Sequence, residues 1–246
     1  NTDGTLDTSF NVGSGITGGG VESLVVQPDD KIIVLGTFNS FNGNTINGIW
    51  RLNSDGTVDT SFNVGTGIPS SGSTVPRILK LKSNGQIVVV SNTNLYNSTA
   101  TRNIFILNSN GAINTSFNPN ATDINGSVWS MEIQNDDKII IYLKNGTSNT
   151  TTSTSNSYIK RLNTNGSLDN TFTINSTVFL TSTVTGVWPI SSVRNIHEIK
   201  QQSDGKILIG GDFNTVFGQT FGGLARLNSN GSVDNSFTVG TGIAST

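Results

Sequence analysis

Four unlike side chains, Glu22, Arg77, Trp129 and His197, fall in one aligned column of this sequence. Each stands two residues before an apolar one (Leu24, Leu79, Met131 and Ile199), so period-2 alternation sets each pair on one face of a strand. A carboxylate, a guanidinium, an indole and an imidazole around one opening offer charge, hydrogen bonds and a stacking face to a polar ligand. Drift at an exposed rim produces the same pattern. His197 is the only histidine in the chain, and a general base needs an oriented partner that spacing does not supply.

Carboxylates form the second candidate set. Residues 53–59, Asn-Ser-Asp-Gly-Thr-Val-Asp, resemble a short calcium loop with Asp55 and Asp59 as ligands, since a hard cation needs several converging oxygens. Asn replaces Asp at Asn110, Asn165 and Asn230, which weakens any cation site and makes a plain hairpin turn the competing reading. Asp7, Asp59, Asp169 and Asp234 each precede a Ser or Thr and then a Phe. They fit repeated sugar-binding carboxylates, or side chains that accept backbone N–H groups at a strand end while the Phe packs. Asn114 in the third copy favours the structural role. Glu22, Glu132 and Glu198 lie outside the repeated turns. A glycosidase or lyase would need two such groups facing one another across a cleft, and Glu132 falls on the other strand face from the Glu22 column.

Composition narrows the classes. A net charge of −2 over 246 residues gives no bulk drive toward nucleic acid or an anionic membrane. No stretch approaches the ~18 apolar residues of a membrane span. The absence of cysteine removes disulfides, thiolate metal sites and cysteine nucleophiles together, and no cofactor other than calcium suggests itself. The chain begins at Asn1 without Met or a signal peptide, so a processed or partial polypeptide is expected.

The elements that position these residues come in repeats. Arg51-Leu52-Asn53-Ser54-Asp55-Gly56-Thr57-Val58-Asp59-Thr60-Ser61-Phe62 returns from Arg161 to Phe172 and again from Arg226 to Phe237. A looser copy runs from Ile106 to Phe117, and one lacking its first strand runs from Asn1 to Phe10. Between them sits an apolar run, a polar turn and an apolar run, as at 21–34, 76–89, 128–141 and 196–209. Asn-Gly and Asp-Gly steps at 84–85, 110–111, 165–166, 204–205 and 230–231 predict type I′ hairpins. The first repeat therefore reads as strands at 21–27, 31–38, 49–53 and 57–63. A period of about 52 to 65 residues with four strands matches an all-β propeller blade. The expected organisation is one propeller region: the outer strand of a preceding blade at 1–15, then four complete blades at 16–67, 68–120, 121–174 and 175–242, with a larger propeller left open.

Leu-Asn-Ser-Asp-Gly-Thr-Val-Asp-Thr-Ser-Phe at 52–62, with Gln-Pro-Asp-Asp-Lys-Ile at 27–32 and Gly-Thr-Phe at 36–38, resembles the delta-60 repeat. So does Asp-Gly-Lys-Ile-Leu-Ile-Gly-Gly-Asp-Phe at 204–213. The resemblance covers nearly the whole chain. It implies a β-propeller, occurrence in large secreted, surface-attached and phage-associated bacterial proteins, and no catalytic motif. The second blade departs from it, with Ser91 in place of the glycine after the strand.

Two insertions break the repeat. Residues 145–157 are Asn, Gly, Thr and Ser and read as an exposed loop. Residues 177–194 are more apolar and carry Trp188, a candidate interaction anchor or part of an edge-covering strand. The leading functional expectation is a non-enzymatic interaction module on an extracellular surface, either an adhesin-like protein or a virion tail or decoration component. It would bind carbohydrate or protein through loop tips and a channel mouth. The alternatives are a structural assembly subunit and a polysaccharide-degrading enzyme.

Overall fold

The computed structural model describes residues 1–69, 78–91, 93–144, 157–174, 177–178, 196–213, 215–216 and 219–240, and among these every regular element is a β-strand. The chain divides into two compact units, Asn1–Phe117 and Asn118–Thr246.

The first unit holds two blades. In the first, Val21–Val26, Ile32–Gly36 and Ile49–Leu52 form an antiparallel sheet with Ile32 paired to both Val26 and Leu52. In the second, Ile78–Leu81, Ile87–Val90 and Ile104–Leu107 repeat that order. The second unit holds Ser127–Ile133, Ile139–Lys144 and Ser157–Leu162, with the two-residue strand Thr177–Val178 at the edge. Its other blade is Ile196–Gln201, Ile207–Gly211 and Leu224–Leu227.

The middle strands Ile87–Val90 and Ile139–Lys144 are buried along their whole length and read as nearly unbroken apolar runs, because both of their faces are covered. Ile33, Leu35 and Ile49 of the first blade pack with Leu79, Ile87 and Val89 of the second, and Phe62, Val64 and Ile68 close the seam. In the second unit, Ile140, Tyr142 and Ile159 meet Ile199, Ile207 and Ile209, with Phe172 and Ile174 at the corresponding seam. Repeats thus share cores that none of them fills alone.

The structure corrects two local expectations. The strand expected at 57–63 contracts to a single bridge, Leu52 to Val58, repeated as Leu107 to Ile113, Leu162 to Leu168 and Leu227 to Val233. Asp59 is the reason: its Oδ1 accepts from Ser61 N at 3.0 Å, its carbonyl accepts from Phe62 N at 3.2 Å, and the backbone curls into a turn. The hairpins are also not type I′, which needs two residues with positive φ. Gly56 N donates to Asn53 O at 3.0 Å and Asn53 N to Thr57 O at 2.8 Å, while only Gly56 has positive φ, at 88°. That is a three-residue loop with a glycine bulge. At the first hairpin of the first and third blades, Asp30 and Asp137 take the glycine's place at φ 61°.

Candidate functional site

The variable column has a structural cause. Val21 pairs with Gly36 and Ser23 with Leu35, leaving Glu22 as the extra residue of a β-bulge. Trp129 is the extra residue between Val128, opposite Leu143, and Ser130, opposite Tyr142. His197 is the same between Ile196, opposite Gly211, and Glu198, opposite Gly210. A bulge frees one residue from the ladder and re-aims its side chain. It also overturns the even alternation expected from sequence: His197 is exposed while Ile199 is fully buried. Arg77 and Trp188 lie outside the described residues, as do most of the 145–157 and 177–194 insertions.

The three described bulge residues have different surroundings. His197 Nε2 lies 2.7 Å from Asp212 Oδ2, and both side chains are more than half exposed. Glu22 is exposed at the start of its strand. Trp129 is partly buried against the apolar core of its unit, and Lys144 Nζ stands 5.0 Å from its ring centroid. Burial lowers the Lys144 ammonium from its ordinary range.

Three of the recurring carboxylates, Asp59, Asp169 and Asp234, are bound into ion pairs. Asp59 Oδ2 accepts from Lys31 Nζ and from Arg51 Nε, each at 2.8 Å, while Oδ1 accepts from Ser61 N at 3.0 Å and Ser61 Oγ at 2.6 Å. The Arg51 guanidinium also covers the Phe62 ring, 4.7 Å from its centroid, and donates to Ser109 O in the turn of the second blade at 2.7 Å. One arginine thus holds the carboxylate, the phenyl and the neighbouring blade together. Lys138, Arg161, Asp169, Thr171 and Phe172 repeat the arrangement, with Arg161 reaching Ser229 O. Lys206, Arg226, Asp234, Ser236 and Phe237 form a third copy. Burial alone would raise the Asp59 and Asp169 carboxyls, but the lysine, arginine and hydroxyl donors outweigh it and hold both well below the usual range. In Asp234 the Ser236 hydroxyl leads, followed by Lys206, with the same net direction.

Sequence reading singled out the aspartates but missed their cationic partners. The signal was available. The second blade replaces Lys, Arg and Asp together, by Gln86, Ile106 and Asn114, so the positions change as a set. Asp55 is exposed, and its Oδ1 accepts from Thr57 N at 2.9 Å and Thr57 Oγ1 at 2.6 Å; the Asp7 side chain makes the same turn with Ser9. Glu132 is buried, with Lys200 Nζ at 3.0 Å and Gln201 N at 3.2 Å from its Oε1. Among the described residues, no three His, Asp or Glu side chains gather as a metal site.

No curated protein matches the sequence. A crystal structure of a protein of unknown function from Bacteroides caccae aligns at a TM-score of 0.44 and 14% identity, covering 88% of this chain and 66% of that one. The family described as a domain of unknown function (DUF5122) beta-propeller matches at residues 27–62, 82–117, 134–172 and 202–237. Each match begins at the first hairpin turn of a blade and ends on the phenylalanine beside its Asp or Asn turn. With more than half of its residues in those matches, the chain belongs to the DUF5122 β-propeller family.

Proposed function

We propose that this chain is a non-enzymatic interaction module on an extracellular surface, adhesin-like or part of a virion, that binds carbohydrate or protein. The supporting observation is the contrast between bulge and framework. The Lys–Arg–Asp–Phe arrangement is kept in three described copies, while the bulge in the same repeats carries Glu22, Trp129 or His197. Variable side chains on a repeated rigid frame suit recognition. Of the glutamates a polysaccharide-cleaving enzyme would draw on, Glu132 is committed to an ion pair with Lys200, and the repeated Asp59 and Asp169 are paired likewise. The resemblance to the delta-60 repeat supports the extracellular setting, and the reading requires no cofactor.

The test is binding of the labelled chain to cells of the source organism and its neighbours, with and without EDTA and after removal of surface glycans. Saturable binding that falls on glycan removal, and falls again with Glu22→Ala plus His197→Ala, is the expected result. Loss with EDTA would bring calcium at the Asp55 turn into the mechanism. Absence of binding to every cell, or release of unsaturated or reducing sugars from polysaccharide, would overturn the reading. A structural assembly role is the second reading, favoured by the exposed apolar side chains Leu24 and Val26 of the first blade.

A further inference from the structure

Four copies of the repeated turn close on a side-chain hydroxyl, and the copy in the second blade does not. Thr57 Oγ1 donates to Asp55 Oδ1 at 2.6 Å and accepts from Asn53 Nδ2 at 2.9 Å. Ser167 Oγ joins Asn165 and Asn163 in the same way, at 2.8 and 2.9 Å, and Ser232 Oγ joins Asn230 and Asn228 at those same distances. Thr5 bridges Asp3 and Asn1. In the second blade this position is Ala112. Asn110 Oδ1 keeps the bond from Ala112 N at 3.1 Å, and the Asn108 amide NH2 has no acceptor among the described residues. A donor and an acceptor are thus left without the O–H that joins them elsewhere.

That turn borders a cleft of about 300 Å³, whose lining includes Asn63, Tyr96, Asn97, Thr99, Asn110 and Ala112 and carries no charged side chain. Three of the amide oxygens are fixed by backbone donors: Asn63 Oδ1 accepts from Gly65 N and Asn97 Oδ1 from Thr66 N, each at 3.0 Å, and Asn110 Oδ1 from Ala112 N. Each amide keeps its NH2 as a donor for something else. Tyr96 donates its hydroxyl to Gly111 O at 2.5 Å and so anchors the turn beside Ala112; Phe41, at the same place in the first blade, has no such group. A cleft of this size lies at the small end of ligand pockets, about 300–1,000 Å³. Neutral amide donors suit a neutral ligand rich in hydroxyls, and a ligand hydroxyl that reproduces the bonds of a bound water displaces it at little cost.

We propose that this cleft binds one unit of a neutral saccharide, a hydroxyl of which takes the place that Thr57, Ser167 and Ser232 fill in the other turns. The inference rests on the recognition reading above for the class of its ligand, and it uses none of the bulge residues.

The probes are free glucose, galactose, mannose and N-acetylglucosamine, followed in the full chain by saturation-transfer NMR and by the backbone signals of Thr99 and Ala112. At least one sugar is expected to bind and to move those signals. Ala112→Ser supplies the missing hydroxyl from within the chain. It is expected to hold or raise the thermal midpoint and to weaken that sugar by about tenfold or more. Thr99→Val, which removes an exposed hydroxyl of the lining, should weaken it by about threefold or more. Absence of binding by all four sugars overturns the proposal, and a raised midpoint for Ala112→Ser then assigns the place to water. Binding that Ala112→Ser leaves unchanged overturns it as well. A sugar lost with Glu22→Ala plus His197→Ala but kept with Ala112→Ser sits at the bulges, which overturns this inference and supports the reading above. A chain that binds sugar at Ala112 yet attaches to no cell upholds this inference and overturns that reading.

Discussion

Arg51 Nε and Asp59 Oδ2 lie 2.8 Å apart with both side chains 7% exposed, and the same bond recurs at 2.8 Å between Arg161 and Asp169. A buried pair of this kind is costly to break from one side, because the surviving charge is left without a counterion. Its hydrogen bonds to the neighbouring blade's turn make it a seam element as well as a local one.

Asp169→Ala should therefore destabilise the chain by about 3 kcal/mol, read from urea unfolding. Importing the second blade's set, Lys138→Gln with Arg161→Ile and Asp169→Asn, should recover about half of that loss or more, since coupled charges are removed together. A triple variant less stable than the single one would contradict the account.

The same aspartates set an acid limit. The Asp59 and Asp169 carboxyls are held below the ordinary value of 3.8. A depressed folded-state value means stability that is fully present above 3.8 and lost as pH falls below it toward the folded value. Urea midpoints should stay level from neutral pH to about 5 and drop steeply below about 4. Asp59→Asn with Asp169→Asn should flatten that drop.

Tyr96 and Tyr142 are fully buried. Burial pushes the Tyr142 phenol up to about 12, against the opposing bonds from Ser157 and Ile196, and raises Tyr96 further. Here the sign reverses: the raised value gives stability below pH 10 that is lost as pH climbs through the folded value. Ultraviolet titration should show these two of the three tyrosines ionising only with unfolding. Tyr96→Phe, which leaves the Gly111 carbonyl without its 2.5 Å donor, should cost about 1–2 kcal/mol.

Two turn glycines should respond differently to alanine. Gly85, at φ 79°, has open space around a new Cβ, so Gly85→Ala should cost only the left-handed backbone penalty of about 1 kcal/mol. At Gly166, φ 89°, a Cβ would stand 2.8 Å from Pro119 N, and the combined cost should reach about 3 kcal/mol in the same melts.

Much of the fold was legible in the residue order. The hairpin Val21–Val26 with Ile32–Gly36 follows from apolar runs around a turn, and its ends match the expected 21–27 and 31–38 closely. The strand expected at 57–63 failed because alternation there competes with Asp59, whose side chain offers the backbone a better set of bonds than a ladder does. The candidate site was legible only as a column. That Glu22, Trp129 and His197 are bulge residues depends on a one-residue slip between paired strands, which the sequence of one strand does not encode.

The sequence by itself determined the repeat, its first three strands, its turn glycines and the absence of cysteine chemistry, because these depend on local periodicity and composition. Tertiary structure decided which aspartate is buried beside which lysine and arginine, and that Leu24 is exposed where Leu79 is buried. Those properties arise where residues distant in sequence are brought within bonding range, as Arg51 is to Ser109 and Arg161 to Ser229.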